Sequence, residues 1–532
     1  MGRIVNKIAI YLNRHLTGNV FDKDSVLDAY STDQSLIKIK PRFVALPETT
    51  ADVRKLVRFS NQLVDKKYSL PISVRGSGLS KTGADLSSGL VISTEKLDHV
   101  RELDAHDRLI HVQAGITLGK LNAVLAPHGL TLPVHADPRE TIGALIANSP
   151  RDHYSKRYGG IMNYVDRVEF VLASGDLVQT SRLSSGKLRQ KQGQKNLEGE
   201  IYEKLDSLLT KNRDLIANLS KNTRLGYSGL RHIRRNHDRI FDLLPVLFGS
   251  EGSLGIITEV ILRLEVMPPR SHRLLAVFPS FDAAQKFMNT AEKLSPLSTM
   301  LYDTRIYKAL EDCGKKPDLL NRKFGDGFVV IVSFNDKSSR SRRKVHKLLR
   351  TLPRSSYSDF ETVKNSPDFD EMTACLATFL NETGKGERPN LLNDFFVPAE
   401  NFPAFLEDLE KLEKTFKRPL ALHGCYSTGV YSLRPDFDLK KVDERRAAIT
   451  ILRDFNELLL KHGGSLAGGS PEGRLKSLVI YPGLDKKEKK LYEEVKAIFD
   501  KNNVFASNIK TDYNIQDTIK HLRVEPNSGL TV

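Results

Sequence analysis

Between residues 50 and 64 the segment ADVRKLVRFSNQLV carries Val53, Leu56, Val57 and Leu63 at the three- and four-residue intervals of a helix that buries one face. Glu48-Thr49-Thr50 precedes it, with Thr50 the expected cap. The pattern then changes. Pro71-Ile72-Ser73-Val74 is short, apolar and β-branched, which predicts a buried strand, and it runs straight into RGSGLSKTGADLSSG. GLVIST and LIHVQAG read as further strands, LGKLNAVLAPHG as a helix closed by Gly129, and VDRVEFVLASGDLVQT as a hairpin turning at Ser174-Gly175-Asp176. GSEGSLGIITEVILRL is a glycine-punctuated loop followed by a β-branched strand, and Met267-Pro268-Pro269 marks a boundary.

Beyond that boundary the strands HRLLAVF and GFVVIVSF alternate with the helices DAAQKFMNTAEKL and ENFPAFLEDLEKLEKTF, which predicts an α+β unit. A long helix, DERRAAITILRDFNELLLKHG, stops at Gly463-Gly464. AGGSPEGR reads as a loop, DKKEKKLYEEVKAIFDKNN as a helix, and the tail as irregular and basic. No internal repeat interrupts this order.

Length and composition narrow the class. The chain has 532 residues, so at roughly 150 residues per domain about three domains are expected. A hydrophobic share of 40% excludes wholesale disorder. The three cysteines, Cys313, Cys375 and Cys425, form no C-x-x-C pair, which excludes a disulfide framework and a chain-borne iron-sulfur cluster. The N-terminal MGRIVNKIAIYLNRHL has apolar residues at helical spacing, Ile4, Val5, Ile8 and Leu12. Lys7 and Arg14 make it too charged for a signal or spanning segment, so a cytoplasmic protein is expected.

The net charge of +16 points to an anionic partner without naming one. Residues 181–240 hold half of it, with 14 Lys or Arg against 6 Asp or Glu, yet Tyr227 is the only aromatic between Tyr202 and Phe241. Nucleic-acid binding is therefore not expected, a solvated basic face is, and peripheral contact with the inner face of a membrane stays compatible with the charge.

The loop Arg75-Gly76-Ser77-Gly78-Leu79-Ser80 places small residues where backbone amides can approach a pyrophosphate. An ordinary tight turn would look the same. The loop lacks both the G-x-G-x-x-G spacing of a Rossmann turn and the Gly-Lys-Ser/Thr of a P-loop.

Three further segments follow it in order: AGITLGKLNAVLAPHGLTLP, then ETIGALIANSP with KRYGG, then FGSEGSLGIITEVILRL. With them the sequence resembles the FAD-linked oxidases of the vanillyl-alcohol oxidase and p-cresol methylhydroxylase superfamily. Within that superfamily it looks like the D-lactate, D-2-hydroxyglutarate and glycolate dehydrogenase branch. The resemblance implies an α+β fold: a two-lobed FAD-binding domain of the p-cresol methylhydroxylase type, an α+β cap domain and a C-terminal helical segment returning to the flavin. The expected boundaries are 1–38 for an N-terminal helical extension, 39–268 for the FAD-binding domain, 269–465 for the cap and 466–532 for the return segment.

Carried over residue by residue, the resemblance assigns FAD to Arg75, Gly76, Ser77, Gly78, Leu79 and Ser80, to Thr141, Ile142 and Gly143, and to Gly255, Ile256 and Ile257. Ala144 stands where the family has a second glycine. Leu79 and Ser80 occupy the neighbourhood of the histidine that tethers the flavin in some relatives, so noncovalent FAD is expected. The implied reaction is hydride transfer from a D-2-hydroxy acid or related alcohol to flavin N5.

The implied active site departs from the family. CYSTGVYSLRP at 425–435 has Cys425 and Ser432 at two metal-binding histidine positions. GGSPEGRLK at 468–476 has Gly469 and Ser470 where relatives carry a metal-binding glutamate and the proton-accepting histidine. No metal is expected. Arg434 and Lys476 are the expected clamp for a substrate carboxylate and for charge on the reduced flavin, and His423, with Tyr426 or Tyr431, is the candidate for proton transfer. The chain ends without the cysteine-rich domain of longer relatives, so electrons are expected to pass to a separate quinone, cytochrome, electron-transfer protein or oxygen. A catalytically silent FAD-binding scaffold or redox sensor is the alternative.

Overall fold

In the computed structural model the described residues are 2–235, 237–268, 271–306, 327–352, 362–363, 388–506, 508–511 and 513–524. Cys313, Cys375 and Pro269 lie outside them.

Two sheets build the first lobe. In one, Phe43–Leu46, Leu90–Ser93 and Ile72–Arg75 run parallel, and Asn19–Phe21 adds an antiparallel edge. Helix Thr50–Asp65 connects two of these strands and buries Val53, Leu56 and Val57, the face expected from their spacing. Its cap is Thr49 rather than Thr50: Thr49 keeps an extended backbone and its side chain accepts from the Asp52 amide, while Thr50 is already helical. The second sheet is antiparallel, in the order Val100–Asp104, Leu109–Gln113, Ile256–Arg263, Val165–Val171, Leu177–Gln179.

The second lobe is an antiparallel seven-stranded sheet. Its order is Thr362–Val363, His272–Phe278, Phe328–Phe334, Ser298–Asp303, Leu422–Cys425, Val430–Leu433, Leu392–Phe396. Helices Phe281–Glu292, Ser338–Leu349, Phe402–Phe416 and Val442–Lys461 share its apolar core through Phe287, Val345, Phe405 and Phe455.

The segments at either end of the chain tie the lobes together. Leu36, Ile37 and Ile39 pack in the core of the second lobe although Asn19–Phe21 pairs in the first. Helix Gly473–Ile480, which the loop-like SPEGR had masked, packs Leu475 and Leu478 into the second lobe. Val504, Phe505, Ala506 and Ile509 then return to the core of the first. Among the described residues no helix is long and apolar enough to cross a membrane.

Candidate active site

Where the two sheets of the first lobe meet, three glycine-bearing segments line a cleft whose empty space, counted out into solvent, is about 830 Å³. Strand Ile72–Arg75 delivers the first loop, and Gly76, Ser77, Gly78, Leu79 and Ser80 all line the cleft. Thr141 and Gly143 line it from the start of helix Ile142–Asn148, where the Thr141 hydroxyl caps the helix by accepting from the Ala144 amide. Gly255, Ile256 and Ile257 line it from the long strand.

Two expected cofactor residues lie outside the lining. The Arg75 side chain turns away: its guanidinium donates to the Thr32 carbonyl at 2.8 Å, pairs with Asp85 at 3.7 Å and stacks over Tyr30. Ile142 is fully buried in the core under the cleft.

The first loop has the properties of an anion cradle. Among the described residues, none of the backbone amides of residues 76–80 donates a hydrogen bond to protein. Five consecutive free donors ask for an external acceptor such as a pyrophosphate. Space is equally tight: a Cβ on Gly76 would sit 2.4 Å from the Thr141 hydroxyl oxygen. Gly76→Ala is therefore expected to push aside the helix cap at a cost of about 1–3 kcal/mol, read as a lower flavin-to-protein absorbance ratio after dialysis.

A second cluster lies beside the cleft without lining it, formed where the lobes meet. Lys81, at the end of the glycine-rich loop, reaches Asp394 of the cap at 3.4 Å. Asp394 sits at a register shift in strand Leu392–Phe396 with φ 53°, a left-handed conformation that costs energy outside glycine. Its amide donates to the Ser432 hydroxyl at 2.9 Å, its carbonyl accepts from Gly469, and Asn393 donates to its carboxylate at 3.0 Å. Burial alone would raise this carboxyl. Lys81, Lys476 and Arg434 outweigh it and hold Asp394 well below the usual carboxylate range.

All three expected catalytic residues join this cluster. His423 pairs in register with Ser432, while Cys425, two residues on, faces the His153 carbonyl. Among the described residues the His423 Nδ1 has no hydrogen-bond partner, and burial with Arg434 and Lys81 pushes the ring down to about 3, so it is neutral. Arg434 is 5% exposed and donates from one terminal nitrogen to Asn390, while among the described residues its Nε makes no hydrogen bond. Lys476 is fully buried, donates to the Ser470 hydroxyl at 3.1 Å, and is pushed down to about 8 by burial against the pull of Asp394.

The tyrosines do not join it. Tyr431 is packed against Phe402 in the cap core, and the Tyr426 hydroxyl donates to Asn289. Among the described residues no group of three or more His, Cys, Asp or Glu is placed to hold a metal ion.

The FAD binding domain model matches residues 41–181, and the model for the C-terminal domain of FAD linked oxidases matches residues 267–508. The chain belongs to the FAD-linked oxidases. It is 24% identical over 486 residues to a D-2-hydroxyglutarate dehydrogenase of Haemophilus influenzae, covering 86% of this chain and 47% of that protein. Glycolate oxidase subunit GlcD of Bacillus subtilis is 22% identical, with 87% and 89% covered. The chain thus spans about half the length of the curated D-2-hydroxyglutarate dehydrogenases it matches. In fold it is similar to the 4-ethylphenol oxidase from Gulosibacter chungangensis, with a TM-score of 0.69, 13% identity, and 97% and 98% of the two chains covered.

As an FAD-linked oxidase the chain binds FAD, and the free amides of residues 76–80 fit its pyrophosphate. Motif reasoning missed three charged residues of this FAD-linked oxidase: Lys81, Glu140 and Asp394. Lys81 and Glu140 flank the glycine-rich segments, and only Asp394 left no local signal.

Most of the basic stretch is committed internally. Arg224 donates to the Ser149 carbonyl, Arg231 to the carbonyls of Leu219 and Ser220, and Arg234 to Asp206.

Proposed function

We propose that the protein is an FAD-dependent dehydrogenase of small D-2-hydroxy acids that works without a divalent metal. One observation carries the reading: buried Arg434 and Lys476 and half-buried Lys81 gather around a single half-buried carboxylate, Asp394, beside the cofactor cleft. An excess of cations over anions at low solvent exposure favours an anionic ligand, and a carboxylate matches the fork of a guanidinium. FAD, when bound, supplies the acceptor for the hydride of the carbinol carbon. Arg434 and Lys476 hold the carboxylate and fix the orientation of that carbon. Asp394 keeps both cations charged and in place, and the neutral His423 contributes a polar wall without a competing charge.

The test is anaerobic mixing of the yellow holoprotein with a panel of D-2-hydroxy acids. Bleaching by at least one of them, with EDTA present, is expected, and colour should return on adding a quinone analogue or oxygen. A flavin that dithionite reduces but no hydroxy acid does would instead make the protein a catalytically silent FAD-binding scaffold. Activity lost to EDTA and restored by zinc or manganese would sink the metal-free mechanism.

A further inference from the structure

We propose that Glu140 is the general base of this site, taking the hydroxyl proton of the substrate as the carbinol carbon gives up its hydride. The inference rests on the 2-hydroxy-acid reading and fills the role that reading leaves empty, because Ser470 stands where relatives place the proton-accepting histidine.

Glu140 is held firmly. Its carbonyl accepts from the Leu118 amide at 2.8 Å, and the next residue, Thr141, caps helix Ile142–Asn148. Its half-buried side chain lines the cofactor cleft, yet among the described residues it makes no hydrogen bond and no ion pair. The neighbouring carboxylates are tied to cations: Asp137 to Arg139, Asp394 to Lys81, Glu251 to Lys510 and Asp85, through one oxygen, to Arg75. A carboxylate that faces the cleft with both oxygens free is placed to meet a substrate, not to brace the fold.

The charged groups that face it are Lys81 from the glycine-rich loop, Asp137 from its own loop and Asp394 from the cap strand. Burial, with a smaller push from Asp137 and Asp394 and a pull from Lys81, raises the Glu140 carboxyl to about 7, where a group both accepts a proton readily and releases it again. Its rivals are worse matched. Asp394 is held ionised by its cations, His423 binds a proton only near 3, and Lys476 is a cation below about 8.

The step balances. The carbinol C–H bond would break with its hydrogen and electron pair passing together as hydride to FAD, and the O–H bond would break with its proton forming a new O–H bond on Glu140. The carbon–oxygen double bond of a 2-oxo acid forms, and Glu140 later returns the proton to water.

Holoprotein of the wild type, Glu140→Gln and Glu140→Asp provides the test. Infrared titration without substrate should find a protonated carboxyl that ionises near neutral pH in the wild type and is missing in Glu140→Gln. Because burial also raises Asp152 to about 6, the reading is the wild-type-minus-variant difference, and a difference spectrum with no carboxyl band overturns the proposal. In rapid anaerobic mixing, Glu140→Gln should bleach about 100-fold more slowly or worse, and should lose the rise of rate with pH that deprotonation of Glu140 gives the wild type. Glu140→Asp should recover part of both. Equal rates and pH profiles in wild type and Glu140→Gln would remove Glu140 from the reaction while leaving the dehydrogenase reading intact. A wild-type flavin that no hydroxy acid bleaches defeats that reading, and the base role with it.

Discussion

Arg434→Ala should lower kcat/KM for the best 2-hydroxy acid by about 10²- to 10³-fold, while dithionite still bleaches the flavin. A buried charged hydrogen bond to a ligand carboxylate is worth about 2–5 kcal/mol when one partner is removed, and each 1.4 kcal/mol is about a factor of ten. Arg434 meets the conditions for the large end of that range. It is buried, it is anchored through Asn390, which itself donates to the Gln34 carbonyl at 2.7 Å, and its Nε still lacks a partner. The guanidinium is therefore fixed before a ligand arrives and has a donor to spare. Burial lowers it to about 10, so it stays charged across the working range.

A purely structural role for Arg434 predicts something else: equal losses for a substrate with and without its carboxylate. The clamp predicts that the corresponding diol, already slow with the wild type, is slowed little further by Arg434→Ala, a coupling read from the double cycle. Lys476 adds a pH signature. Because its ammonium loses its proton near pH 8, carboxylate binding should weaken as pH rises through that value, and Lys476→Arg should remove this alkaline limb.

Lys510→Met should cost about 3–5 kcal/mol of stability, the range for a buried charge stripped of its partner, and lower Tm on the order of 10 °C. The Lys510 ammonium is fully buried, 3.0 Å from both Glu251 and Glu472. Burial works against its charge, but the two carboxylates outweigh it and raise Lys510 above the usual lysine value, while burial raises Glu251.

Glu472 also accepts from the Gly226 amide and the Tyr481 hydroxyl, each at 3.0 Å, and Glu251 lines the cofactor cleft. One ammonium thus joins the C-terminal segment, the helix Gly473–Ile480 and the wall of the flavin site. Without it two buried carboxylates face each other. The Glu251 carboxyl, already raised by burial, would rise further, so this destabilisation should be fullest at neutral and alkaline pH and shrink as pH falls and that carboxyl protonates. Thermal unfolding at pH 5.5 and pH 8 measures the difference. Adding Glu472→Gln to the variant should restore part of the loss, and flavin should dissociate faster from Lys510→Met because the cleft wall loosens.

Much of the cofactor half was legible from residues 71–80, 140–150 and 249–264. Backbone that must approach a phosphate or turn sharply excludes side chains, and that exclusion writes glycine into short contiguous stretches. Gly76, where a Cβ would strike Thr141, and Gly78, with φ 69° and the Arg75 guanidinium where its Cβ would be, both carry such a mark. The strands and helices of both lobes were legible for the same kind of reason: burial of one face imposes a period of two or about 3.6.

Helix Gly473–Ile480 was hidden because its first residue is a glycine with φ 52° behind Ser470-Pro471, which reads as a turn. Its position comes from the close approach to Thr82, almost four hundred residues earlier in the chain.

The local pattern of this chain therefore carried its elements, its glycine-lined FAD cleft and the loss of the family's histidines. The charged cluster was another matter. Lys81, Glu140, Asp394 and Lys476 come from four separate segments and His423 and Arg434 from one hairpin, and no spacing along the chain relates these five. Folding brings them together because the cap strands and the return helix close over the first loop. Their protonation follows from that closure, since desolvation and the distances between charges exist only in the assembled molecule.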